Sequence, residues 1–286
     1  MTIMKVAAVQ MRSGTSPERN AADMERMVRE AVRQGAAYVQ TPEVTGAMVR
    51  DEEARAAAFT SEDKDLVVAT ARRLARELGI FVHIGSTAIL RPDGKLANRA
   101  LLFSPQGERV AAYDKIHMFD VDLDNGESWR ESSAYEPGTE AIVADLGAAK
   151  LGFAICYDVR FPQLFRTEAL AGAEILSVPA AFTRQTGEAH WHVLLRARAI
   201  ENGAFVVAAA QGGRHEDGRE TYGHSLIVDP WGRVLAEADH DEPGVIVAEV
   251  DTAAVAAARA KIPNLKNARE FALATAGAPL LRGAAS

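Results

Sequence analysis

Short apolar, β-tolerant runs alternate with longer helix-period stretches along most of this chain, and that alternation confines it to the α/β class. Residues 5–10, 37–40, 80–90, 173–178, 204–210 and 245–250 read as strands. Ser16 is a helix N-cap with Pro17 at the first helical position, and Gly35 ends that helix. Further helices are expected over 51–58, from a Thr60 or Ser61 cap to about Gly79, over 161–171, over 187–202, and after an Asp251 or Thr252 cap. Two hairpin turns, Pro105-Gln106-Gly107 and Pro230-Trp231-Gly232, share one design, in which proline presets φ and glycine accepts a positive one. Their flanking runs also match, which hints at two similar half-sheets. Residues 121–138 and 211–221 lack periodicity and read as loops. The first is long enough to be functional and carries the turn signals Asn125-Gly126 and Pro137-Gly138.

The 286 residues suffice for one large domain, and no Gly/Pro/Ser-rich linker divides them, so residues 1–286 are expected to form a single unit. A tail from about residue 262 is expected to dock on it or on a partner subunit. One cysteine excludes an intramolecular disulfide and fits a reducing compartment. With a net charge of -7 and no basic stripe, nonspecific nucleic-acid binding is not expected. No apolar run approaches the roughly 20 residues of a membrane helix, and the start of the chain has no secretory pattern, so a cytoplasmic location without membrane contact is expected.

The stretch Leu151-Gly152-Phe153-Ala154-Ile155-Cys156-Tyr157-Asp158-Val159-Arg160-Phe161-Pro162 reads as a buried strand ending in a turn. A lone cysteine is by default a small buried hydrophobe. Here it closes a strand at the place where α/β proteins usually put chemistry. Glu43 closes another strand in Thr41-Pro42-Glu43, Lys115 a third in Tyr113-Asp114-Lys115-Ile116-His117, and Glu131 sits in the aperiodic segment. A carboxylate can take a thiol proton, a lysine can hold a developing oxyanion, and a second carboxylate can keep that lysine charged.

These motifs, in this order and separation, resemble the carbon–nitrogen hydrolases of the nitrilase superfamily over about residues 5–265. The resemblance implies a four-layer αββα sandwich, usually dimerised through helices, so that a homodimer or higher homo-oligomer is expected, and a Glu–Lys–Cys triad falling on Glu43, Lys115 and Cys156, with Glu131 as a supporting glutamate. Gly187-Glu188-Ala189-His190-Trp191, Gln211-Gly212-Gly213-Arg214-His215 and Tyr222-Gly223-His224-Ser225 resemble the Nit branch, closest to the deaminated-glutathione amidases. The tail departs from that pattern, because Ile262-Pro263-Asn264-Leu265-Lys266-Asn267-Ala268-Arg269 lacks the usual His-Arg-Arg.

The implied reaction is hydrolysis of a terminal amide of a small carboxylate-bearing substrate through a cysteine thioester, with release of ammonia and no cofactor. Lys115 and the Tyr157 N–H are expected to hold the oxyanion, and Arg160, or secondarily Arg184, to pair with the substrate carboxylate. The alternatives are an ω-amidase acting on α-ketoglutaramate, a nitrile hydrolase, and a non-enzymatic scaffold, the last opposed by the intact Glu43, Lys115 and Cys156. His190-Trp191-His192 invites a metal reading. Positions i and i+2 of a helix face apart and no third ligand lies nearby in sequence, so no metal is expected.

Overall fold

Ile3–Gln10 forms the first strand, and its side chains alternate between two cores. Val6 and Ala8 point one way, Ala7 and Val9 the other. A strand apolar on both faces must be covered on both, which fixes a layered arrangement.

The computed structural model describes residues 3–122, 126 and 128–276. Its first half contains β1 (Ile3–Gln10), α1 (Pro17–Arg33), β2 (Tyr38–Gln40), α2 (Glu52–Ala58), α3 (Leu66–Leu78), β3 (Phe81–Leu90), β4 (Leu96–Phe103) and β5 (Arg109–Asp114). A small ribbon follows, β6 (Asp120–Asp122) with β7 (Ser128–Arg130). The second half contains β8 (Val143–Asp145), β9 (Lys150–Phe153), α4 (Pro162–Leu170), β10 (Ile175–Ser177), α5 (Arg184–Asn202) and β11 (Phe205–Ala208). The ribbon β12 (Gly212–Arg214) and β13 (Glu220–Tyr222) precedes β14 (Leu226–Val228), β15 (Val234–Glu237), β16 (Gly244–Asp251) and α6 (Thr252–Lys261).

Two six-stranded sheets result, ordered β16-β1-β2-β3-β4-β5 and β15-β14-β11-β10-β9-β8. From β16 and from β8, the neighbour relations run antiparallel, parallel, parallel, antiparallel, antiparallel in both. The two Pro-x-Gly hairpins, β4–β5 and β14–β15, therefore occupy the same place in each sheet. Ala7 and Val9 pack under Met24 and Val28 of α1 and Leu74 of α3. Val6 and Ala8 meet Phe153, Ile175 and Val207 of the second sheet, which α4 and α5 cover through Phe165, Trp191 and Leu195. The architecture is a four-layer αββα sandwich.

Local signals account for most boundaries. Ser16 accepts the Arg19 N–H at the start of α1, and Asp251 accepts the Ala253 N–H at the start of α6. The start of α3 differs from expectation: its cap is Asp65, which accepts the Val68 N–H at 2.9 Å, and neither Thr60 nor Ser61 belongs to the helix. The segment 61–64 offers no apolar face, whereas Val67 and Val68 are buried. Residues 121–138 and 211–221 are not plain loops, since each contributes to a short ribbon; Asn125 lies outside the described residues. The tail is tied down as far as Asn264, whose side chain donates to the Glu201 carbonyl at 2.6 Å, while Phe271 and Leu273 are exposed. Among the described residues no helix is long and apolar enough to cross a membrane.

Candidate active site

The strand ends bring Glu43, Lys115 and Cys156 together, although they lie far apart in the chain. Glu43 follows β2, and its carboxylate is reached from three sides. Lys115 Nζ lies 2.9 Å from Oε1, Asn98 Nδ2 donates to Oε1 at 2.9 Å, and the Ala181 N–H donates to Oε2 at 2.9 Å. Cys156 lines the same cavity, and its thiol and this carboxylate influence each other's protonation. Lys115, just past β5, also bonds Glu131 at 2.8 and 3.1 Å, and Glu131 accepts from the Phe119 N–H at 2.7 Å. Asn98 bridges the two carboxylates, reaching Glu131 Oε1 at 3.0 Å.

Close backbone approaches hold these groups in place. A side chain at Gly85 would collide with the carbonyls of Thr41 and Pro42, at 2.0 and 2.6 Å from its Cβ. One at Gly138 would meet the Asp114 carbonyl at 2.1 Å, directly before Lys115. Of three non-glycine residues with left-handed φ among those described, one is Cys156 (49°) and another is Val44 (58°), next to Glu43. Such strain costs on the order of 1–3 kcal/mol per residue and clusters at functional sites. Asp158 anchors the cysteine turn. It accepts from the Ile155 N–H (2.9 Å), the Tyr113 hydroxyl (2.7 Å) and the His117 N–H (3.1 Å), and it bonds His117 Nδ1 at 2.6 Å. The turn itself is a short 3-10 helix, Cys156–Arg160, whose first N–H groups have no intrahelical acceptor.

The electrostatics assign protons. Burial pushes the Glu43 carboxyl up, but the Lys115 charge and the hydrogen bonds from Lys115 and Asn98 outweigh it, so Glu43 stays below the usual carboxylate range. Burial alone would lower Lys115, yet Glu131 and Glu43 hold it well above the ordinary lysine value. Burial and the neighbouring Glu43 charge push the Cys156 thiol well up, against the pull of Lys115. The resting site is therefore a neutral thiol in the company of an ionised carboxylate and an ammonium. Such a carboxylate can accept the thiol proton as the sulfur attacks, rather than facing a preformed thiolate.

The three groups open into a cavity of about 690 Å³. Tyr157 and Arg160 line it, and the Arg160 guanidinium carbon sits 5.8 Å from the Tyr157 ring and 5.4 Å from that of Phe182. Arg184 does not line it. As the first residue of α5 it points outward to Glu188 (3.3 Å) and Asp241 (3.9 Å), so the expectation that it meets substrate is corrected. Sequence reasoning missed Asn98, whose signal was an amide inside an apolar strand, where asparagine is disfavoured. It also missed the Asp158 anchor and the cavity residues Arg50, Arg55, Trp129 and Arg219. Among the described residues one group could hold a metal: His192, His224 and Glu237, with ligand atoms within 4.8 Å. Its third member comes from β15, which local spacing could not reveal. The carboxylate already accepts from His192 at 2.7 Å, and none of the three lines the Cys156 cavity.

Comparison with known proteins places the chain in a family. A family model described as carbon-nitrogen hydrolase matches residues 5–260. The chain is 40% identical to a deaminated glutathione amidase of Yersinia enterocolitica, over 92% of each chain. It superposes on the C. elegans NitFhit protein with a TM-score of 0.87 at 35% identity, covering 94% of this chain and 66% of that longer one. It also matches a glutamate-to-glutamine variant of an amidase from Nesterenkonia sp. AN1, with a TM-score of 0.77, 27% identity and 94% of each chain covered. That protein carries the acetamide moiety of fluoroacetamide on its active-site cysteine.

Proposed function

The chain belongs to the carbon–nitrogen hydrolase family, as an amidase of the nitrilase superfamily, and from that premise we propose that it cleaves deaminated glutathione through a thioester on Cys156. The observation that carries this reading is the meeting of Cys156, an ionised Glu43 and the Lys115 ammonium, with Lys115 Nζ 2.9 Å from Glu43 Oε1, at the floor of one cavity. The arrangement supports one domain acting as a unit, because segments following strands of both sheets meet at this floor.

Glu43 takes the thiol proton as sulfur adds to the amide carbonyl. Lys115 Nζ and the Tyr157 N–H stabilise the oxyanion, and losing one such donor typically costs about 3–4 kcal/mol. Glu43 returns the proton to the leaving nitrogen as the C–N bond breaks, then activates the water that hydrolyses the thioester. Glu131 keeps Lys115 charged and oriented. Arg160, steadied on two aromatic rings, pairs with the carboxylate of the acyl half.

The leaving group needs a correction. Ammonia comes only from a primary amide, and deaminated glutathione has none, since both its amides are secondary. It shares a 4-carboxy-4-oxobutanoyl acyl half with α-ketoglutaramate and differs in what departs, cysteinylglycine in place of ammonia. We therefore expect 2-oxoglutarate release from deaminated glutathione with a kcat/KM at least about 10-fold above that for α-ketoglutaramate, and no turnover of a simple nitrile. A faster primary amide makes the enzyme an ω-amidase, and a preferred nitrile removes the amidase substrate altogether.

A homodimer is part of the same proposal. The α5 residues Val193 and Ile200 and the hairpin residue Trp231 are exposed, and Gly232 packs against Ile200, so they form one apolar face. Sedimentation as a monomer at micromolar concentration contradicts it.

A further inference from the structure

Building on the amidase reading above, we propose that the cavity rim holds a second carboxylate subsite, formed by Arg50, Arg55 and Arg219 around Trp129, which binds a carboxylate carried by the leaving group. The substrate class is then an amide with an anion at each end.

Arg50 and Arg219 reach the Trp129 ring with guanidinium carbons 5.2 and 5.7 Å from its centroid. Stacking on an aromatic ring fixes a guanidinium while leaving its N–H fork free for a carboxylate. Arg55 Nε is buried without a hydrogen-bond partner among the described residues, and another of its nitrogens donates to the Arg50 carbonyl at 2.8 Å. An unpaired buried donor is unfavourable, and Arg55 lines the cavity. No carboxylate among the described residues pairs with Arg50 or Arg55. Arg219 is shared with Asp217, whose Oδ2 accepts from Nε at 2.6 Å, and Glu220 also lines the cavity. Among the described residues, the rim therefore carries two cations without a paired carboxylate and one with.

This cluster is distinct from Arg160. Arg160 belongs with Tyr157 and Phe182, the other group with Trp129, and Phe119 stands between, with ring centroids 5.1 Å from Tyr157 and 6.3 Å from Trp129. Two cationic positions in one cavity suit a substrate with two carboxylates. A primary amide such as α-ketoglutaramate leaves the rim site empty.

The test compares deaminated glutathione with its C-terminal amide, which lacks only the distal charge, in wild type and in Arg50→Gln and Arg55→Gln. The wild type should favour the acid over the amide by about 10-fold or more in kcat/KM, mainly through KM, and added salt should shrink that ratio. Each variant should move the ratio toward one. A wild-type ratio within about twofold, or variants that slow both compounds equally, overturns the subsite. If neither compound is turned over while another amide is, the substrate reading fails separately. Calorimetric titration of Cys156→Ala then decides the subsite, which stands only if the acid binds more tightly than the amide.

Discussion

Cys156→Ala should lose amide hydrolysis by about 10,000-fold or more while still binding substrate. The thiol is the group to which the mechanism assigns the covalent bond, and it is the only cysteine in the chain. Alanine removes one buried sulfur from a turn whose shape is set by Asp158, so the fold and the arginines around the cavity should persist. The lost contact is small, and stability should change by no more than about 1 kcal/mol. Calorimetry with deaminated glutathione or α-ketoglutaramate should therefore give a Kd close to the wild-type KM wherever chemistry is slow. A variant that still turns over at more than about one per cent of the wild-type rate shows that water is activated directly at this site.

Lys115→Met should be the most destabilising single change at the site, by about 3–5 kcal/mol near neutral pH. Lys115 is 2% exposed and lies between Glu43 and Glu131, so removing the ammonium leaves a buried and a half-buried carboxylate near each other without a counter-charge. The deficit depends on pH with a definite sign. In the wild type the Glu43 carboxyl is depressed, so its contribution to stability is present above the unfolded value of about 4.3 and is lost as pH falls through the lower folded value. In Lys115→Met the carboxylates repel, and one of them binds a proton more tightly folded than unfolded. The variant therefore regains stability as pH falls through that raised value, and the gap to wild type should narrow between pH 7.5 and 5. Urea denaturation at both pH values measures it. A deficit that does not change with pH means that Glu43 and Glu131 are not coupled through Lys115. Activity should also fall by about 100-fold or more, since an oxyanion donor is gone.

The pattern of side chains revealed more of the scaffold than of the site. Ser16, Asp251 and the two Pro-x-Gly turns are local devices whose effect depends on neighbours a few residues away, and each sits where its chemistry placed it. Asp65 was missed because a cap is recognised by the apolar face that follows, and two earlier candidates preceded the same helix. The β12–β13 ribbon was hidden by Gly212 and Gly213, which present no side chains to alternate. The motif positions Glu43, Lys115, Glu131 and Cys156 could be picked out as residue types at strand ends or in a loop, and the fold brings all four together. What tunes them was not legible: Asn98 bridging two acids, Asp158 tying the turn to Tyr113 and His117, and cationic residues from α2 and the β12–β13 connection meeting at one rim. Those contacts span long separations along the chain, and only folding makes them neighbours. Arg184 shows the converse, a plausible charge that its helix turns away from the cavity.

The central claim is that a neutral Cys156 thiol, deprotonated by Glu43 during attack, carries the acyl group. Rapid acid quench of wild-type enzyme mixed with excess deaminated glutathione, followed by intact-mass and peptide-mass analysis, tests it directly. The account predicts a transient adduct with the mass of the 4-carboxy-4-oxobutanoyl group, on the peptide containing Cys156, released by hydroxylamine and absent in Cys156→Ala. Product formation in a single turnover with no adduct at any quench time, under conditions where hydrolysis of the thioester is the slower step, or an adduct on a different residue, contradicts it.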